Sequence, residues 1–67
     1  MRLLVRFKNK EITVFDLANE SFVPPKGDIK GFIEIGKDKA TGQPVVVHID
    51  EVVAFEPQSE DAGSWVG

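Results

Sequence analysis

The chain has no cysteine and a single histidine among its 67 residues. A disulfide framework is therefore excluded. A structural zinc site normally needs four cysteine or histidine ligands, and this chain offers one. The chain has no apolar run of membrane-spanning length, and Arg6 and Lys8 interrupt its apolar start before a signal peptide could form. We therefore expect a cytoplasmic protein that does not contact membranes.

A chain of 67 residues has room for one domain, near the lower size limit for independent folding. Ordering it costs about 100 kcal/mol of conformational entropy, at roughly 1.5 kcal/mol per residue, and a small core leaves little surplus. Without a disulfide or a metal, self-association is the remaining source of stability. We therefore predict a homo-oligomer, with a twofold dimer favoured.

Charge is distributed unevenly along the chain. All eight basic residues lie at or before Lys39, where they outweigh six acids, and the remainder carries five acids and no base. This distribution argues against a uniformly basic, nucleic-acid-coating protein. It leaves room for a basic patch near the N-terminus.

Alternating apolar and polar residues predict five short strands, at 2–7, 11–15, 29–35, 45–49 and 52–56. A long structured loop is expected over 16–28 because Pro24 and Pro25 prevent a helix there. We also predict a bulge at Gly31 and a 3₁₀ turn over 49–51 capped by Asp50. The same-face positions of the strands predict a core of Leu3, Val5, Ile12, Val14, Ile33, Ile35, Val45, Val47, Val53 and Phe55.

These elements predict an all-β fold, a small five-stranded antiparallel and partly open barrel over residues 1–57. The order of hairpin, long loop, hairpin, single helical turn and closing strand resembles that of an SH3-like barrel. The chain has no tyrosine, and its only tryptophan lies near the C-terminus, so binding of proline-rich ligands is not implied. Residues 58–67 are polar and acidic and are predicted to form a flexible tail.

The candidates for chemistry are few. Residues two apart in an extended chain share a face, so His48 and Asp50 would present two ligands on one side. Two ligands do not make a selective metal site, and we expect a solvent-facing histidine, a capping aspartate and no metal. Ser21, Ser59 and Ser64 lie in the loop or the tail, far from the rigid positioning that a catalytic triad requires. A chain this short also leaves little volume for a substrate cleft of roughly 300 Å³. No glycine cluster precedes a helix, so we expect no nucleotide binding. Together with the missing triad and the small volume, this predicts no cofactor and no enzymatic activity.

Two functions remain open. The first is a non-catalytic protein-interaction or self-assembly module, whose contact residues would come from a sheet edge, the loop or the tail. Its predicted partner-binding residues are Leu17, Phe22, Val23 and Trp65.

The alternative is a small nucleic-acid-binding regulator that uses an N-terminal basic patch, with Phe15 or Phe32 for base stacking. Its predicted contact residues are Arg2, Arg6, Lys8 and Lys10. Against it, such charges are common on a solvated strand face, and lysines also protect an edge strand from aggregation.

Overall fold

The described part of the chain forms two antiparallel sheets and one 3₁₀ turn, joined by loops. The structure, a computed structural model, describes residues 1–58 and the backbone of 65–66. The strands are β1 (Arg2–Phe7), β2 (Ile12–Asp16), β3 (Phe32–Lys37), β4 (Pro44–His48), β5 (Val52–Pro57) and β6 (Trp65–Val66), with the 3₁₀ turn at Ile49–Glu51 between β4 and β5. The predicted all-β class and the 3₁₀ turn are confirmed.

The first sheet has the order β2-β1-β5-β6, which places β1 at its centre. β1 is apolar at alternate positions, and Leu3 and Val5 on its inner face are both 0% exposed. Because β1 has a neighbour on each side, its own Arg2 and Arg6 do not lie at a sheet edge, whereas Lys10 comes just before the edge strand β2.

The hairpin between β1 and β2 sets which side of β2 faces the core. Its connection is tight: Phe7 N–H donates to Glu11 O at 2.9 Å, and Lys10 takes a φ of 71°. This register places Phe15 opposite Leu3, so Phe15 packs against the core. The predicted core positions on β2, Ile12 and Val14, are instead both 53% exposed. The prediction was wrong by one residue because a turn of different length reverses every side chain of the following strand.

The second sheet pairs β3 with β4, and its bulge does not lie at the predicted Gly31. The register shifts between Glu34 and Gly36, so Ile35 is the additional residue, and Gly36 has a φ of 152°. The side-chain amide of Asn19 fills the space beside Gly36. It donates to Ile35 O at 3.2 Å and accepts the Lys37 N–H at 3.3 Å. A glycine is required there because a Cβ would lie 2.3 Å from the Asn19 amide oxygen.

Two details around the 3₁₀ turn correct the sequence analysis. Asp50 does not cap the turn, whose N-cap is His48, and its carboxylate instead accepts the Gly31 N–H at 3.4 Å. Val53, a predicted core residue, is 37% exposed. It is the extra residue of a bulge in β5, because the neighbouring positions 52 and 54 pair with consecutive residues of β1.

Backbone hydrogen bonds join the two sheets where β2 ends. There Lys39 N–H donates to Asp16 O at 3.0 Å, beside a bridge between Leu17 and Asp38. A bond from Ile49 N–H to Gly31 O at 2.8 Å extends the β3–β4 pairing by one residue pair. The core lies between the sheets and is completed by the long loop; its buried residues are Leu3, Val5, Leu17, Phe22, Ile35, Val47, Ile49, Val52 and Phe55.

The predicted flexible tail falls largely on residues 59–64 and 67, which lie outside the described residues, and it stays a prediction. Of the predicted tail, the backbone of Trp65–Val66 is described: it forms β6, which pairs antiparallel with β5 so that Trp65 is opposite Phe55.

The predicted single five-stranded sheet is not observed, because the strands occupy two separate sheets.

Candidate interaction surface

The outer face of the first sheet carries an exposed apolar patch, formed by Leu4, Ile12 and Val14. Leu4 lies directly opposite Val14 in the β1–β2 register, and these residues alternate with the buried positions of the same strands. Leu4 is half-buried, whereas Ile12 and Val14 are both 53% exposed. A depression of about 220 Å³ borders Ile12 at the hairpin end and is also lined by Lys10. We call these three residues the outer patch.

The outer patch reaches an open strand edge. Among the described residues β2 has a neighbouring strand on one side only, and residues 12–15 carry no charged side chain and no proline. Natural edge strands normally include a lysine, a proline or a bulge that prevents pairing with other chains. The nearest charged side chains lie at the two ends of β2: Lys10 and Glu11 come just before the strand, and Asp16 is its last residue.

The long loop provides the second apolar surface, although not through all the residues predicted to bind a partner. Leu17 is 0% exposed and Phe22 is 6% exposed, and the Phe22 ring lies 5.0 Å from that of Phe55. Both are core residues of this chain and present no surface to a partner. Val23 is 77% exposed, and the side chain of Trp65 lies outside the described residues.

Val23 lines an open groove of about 300 Å³ between the loop and β3. The expectation that so short a chain lacks this volume is therefore wrong. The groove is lined by loop residues 22–25, by Ile29 and by residues 33–35, and Glu34 is its titratable lining residue. Such a groove accommodates an apolar side chain, and its lining contains no nucleophile paired with a base.

The four basic residues of the alternative function do not form one patch. Arg6 is paired with Glu56 across the outer face, and Arg2 lies opposite Asp16 in the register. Lys8 and Lys10 are exposed at the other end of β1, in the hairpin connection. Much of the basic charge is therefore balanced by nearby acids. Of the two aromatic residues considered for stacking, Phe15 packs on the core and Phe32, on β3, is 73% exposed.

His48 and Asp50 are close, although Asp50 lies in the 3₁₀ turn and not on a strand face shared with His48. The Nδ1 atom of His48 lies 3.7 Å from an Asp50 carboxylate oxygen, and the ring contacts Phe32 edge-on with centroids 4.7 Å apart. The residues that the structure describes include no group of three or more side chains able to hold a metal ion. Asp50 links the 3₁₀ turn to Gly31, just before β3, and the two side chains present two potential ligands.

Sequence reasoning missed the outer patch because it assigned Ile12 and Val14 to the core. The available signal was the length of the hairpin connection. Phe15 and Leu17 are also apolar with the opposite phase, and a one-residue change in the length of the turn favours them.

Comparison with known proteins adds no family to this description. No protein-family model matches the chain, and neither the curated proteins nor the solved structures include a significant match. In the part of the chain that the structure describes, no helix has the length and apolar character needed to cross a membrane.

Proposed function

We propose that this chain is a non-catalytic interaction module that assembles with a second copy of itself through the outer patch. One observation carries the proposal: the exposed apolar residues Ile12 and Val14 lie on an edge strand without internal charge. An edge of this kind promotes pairing with another chain, and burial of its apolar side chains supplies the free energy.

The small core supports the same proposal. A chain of this size has little stability to spare, and docking the outer patch would bury apolar surface that the monomer leaves in water. A second copy is the simplest partner because a twofold contact needs only one surface to be self-complementary. Another protein with an exposed strand would be recognised in the same way.

The experiment compares two substitutions of equally exposed valines by sedimentation equilibrium at micromolar to millimolar concentration. Val14 is on the outer patch and Val46 is on β4, and both are 53% exposed. We expect Val14→Lys to raise the dimer dissociation constant at least about tenfold, because each copy loses a buried valine worth about 1.5 kcal/mol or more. Val46→Lys should leave it unchanged. A parent protein that is monomeric throughout, or equal effects of the two variants, would contradict the proposal.

Nucleic-acid binding remains a second candidate, which the exposed Phe32 and the hairpin lysines Lys8 and Lys10 favour. Affinity for a single-stranded oligonucleotide should then fall steeply with salt, and Lys8→Ala with Lys10→Ala should reduce the salt dependence. The Arg6–Glu56 pair weakens this candidate, since a neutralised arginine contributes little to phosphate binding.

Three further predictions belong to this proposal. The 3₁₀ turn before β5 and the pairing of β5 with β1 support an SH3-like, partly open barrel over residues 1–57. The flexible tail and the cytoplasmic location stay predictions from the sequence.

A further inference from the structure

The backbone of β2 directs a defined set of hydrogen-bonding groups to its open edge. Phe7 N–H donates to Glu11 O, and Leu17 N–H donates to Met1 O at 2.7 Å. Because antiparallel bonds alternate along a strand, the odd-numbered residues from Glu11 to Leu17 bond to β1. Ile12 and Val14 therefore point both their N–H and their C=O groups away from β1.

The open edge has a limit at each end. Asp16 also points outward, but its carbonyl already accepts the Lys39 N–H at 3.0 Å. At the other end Lys10 has a φ of 71°, which takes the backbone out of the strand conformation. The free segment is therefore short and is centred on Thr13.

A second copy fits this segment in one antiparallel register. With Thr13 opposite its counterpart, Ile12 lies opposite Val14 of the second copy, and every outward N–H and C=O of these residues has a partner. Their side chains meet on the outer face, where each is 53% exposed in the single chain. Lys10 then approaches Asp16 of the second copy, so the charges at the two ends of the contact are complementary.

Other registers are less favourable. A shift by two residues in one direction brings Ile12 opposite Asp16 of the second copy, where Lys39 already occupies the edge. A shift in the other direction brings Val14 opposite Lys10, which is outside the strand. A shift by one residue places outward groups opposite groups already bonded to β1.

We propose that two copies of this chain join edge to edge through β2, antiparallel and related by a twofold axis beside Thr13, which extends the first sheet across the dimer. This inference rests on the proposed function and specifies the contact by which the module assembles.

The test uses single-cysteine variants. Because the chain has no cysteine of its own, any disulfide must form between the introduced thiols. Thr13→Cys places two thiols at a non-hydrogen-bonded pair with Cα atoms about 4.5 Å apart, within the range of a disulfide. Mixing Ile12→Cys with Val14→Cys places unlike variants opposite each other, about 5.5 Å apart. Two copies of the same variant are diagonal neighbours, about 7–8 Å apart, and cross-link poorly.

We expect Thr13→Cys to form a disulfide dimer under mild oxidation and the mixture to give mainly the mixed dimer, which intact mass identifies. A matched control, Val46→Cys, should remain largely uncross-linked. A dimer in sedimentation without these cross-links would overturn the register but leave the proposed function standing. In the mixture, an excess of the Ile12→Cys or the Val14→Cys homodimer over the mixed dimer would also overturn the register. A parent chain that stays monomeric would overturn both proposals.

Discussion

Truncation of Leu17 tests whether this residue, at the start of the long loop, stabilises the core of its own chain or binds a partner. Leu17 is 0% exposed and belongs to the buried cluster between the sheets. Leu17→Ala should cost about 2–5 kcal/mol of unfolding free energy, because it removes buried carbons and leaves a cavity. A chain of 67 residues has about 3–10 kcal/mol in total, at roughly 0.05–0.15 kcal/mol per residue, so much of this variant should be unfolded.

The assay is urea unfolding followed by far-ultraviolet circular dichroism at one fixed protein concentration, since association adds to apparent stability. Val23→Ala is the matched control: it shortens an apolar side chain of the same loop, but Val23 is 77% exposed, so the change should stay within about 0.5 kcal/mol. The reasoning is refuted if Leu17→Ala unfolds at the parental urea concentration, or if Val23→Ala has the larger effect.

Three other outcomes are expected. Gly36→Ala should destabilise the fold by about 1–3 kcal/mol, because its Cβ displaces the Asn19 amide from its bonds at the bulge, and a thermal melt measures this. A double-mutant cycle on Arg6 and Glu56 should give a coupling below about 1 kcal/mol that falls with salt, since the two side chains are 48% and 40% exposed. Calorimetric titration with zinc should show no stoichiometric tight site at His48, where the donor count is too low.

The parts of the fold that depend on local chemistry could be predicted from the sequence. The approximate positions of the five strands and the 3₁₀ turn follow from alternation and turn chemistry, and the structure confirms them. The bounds differ: β3 begins at Phe32 and not at Ile29, and β5 includes Pro57. Which side of β2 faces inward depends on the conformation of the hairpin turn, where Lys10 takes a φ of 71°. Alternation has two possible phases there, and composition does not distinguish between them.

The position of the bulge in β3 could not be predicted either, because it depends on a contact with a distant part of the chain. Glycine often marks a bulge, which favours Gly31, but the extra residue of β3 is Ile35, whose carbonyl accepts a hydrogen bond from the Asn19 amide of the long loop. That contact joins residues distant in sequence, and the glycine beside Ile35, Gly36, does not by itself distinguish this position from Gly31. The outer patch was missed because it follows from the phase of β2.

The central position of β1 has a consequence for the order of folding. β1 pairs first with β2, its neighbour in sequence, but its other side is completed by β5, and the Arg6–Glu56 contact spans 50 residues. A lone hairpin is marginally stable in water, so closing this large loop should limit the folding rate. On the ribosome, β1 emerges before β5, so until residues 52–57 have also emerged the nascent chain carries an apolar strand with one edge unpaired.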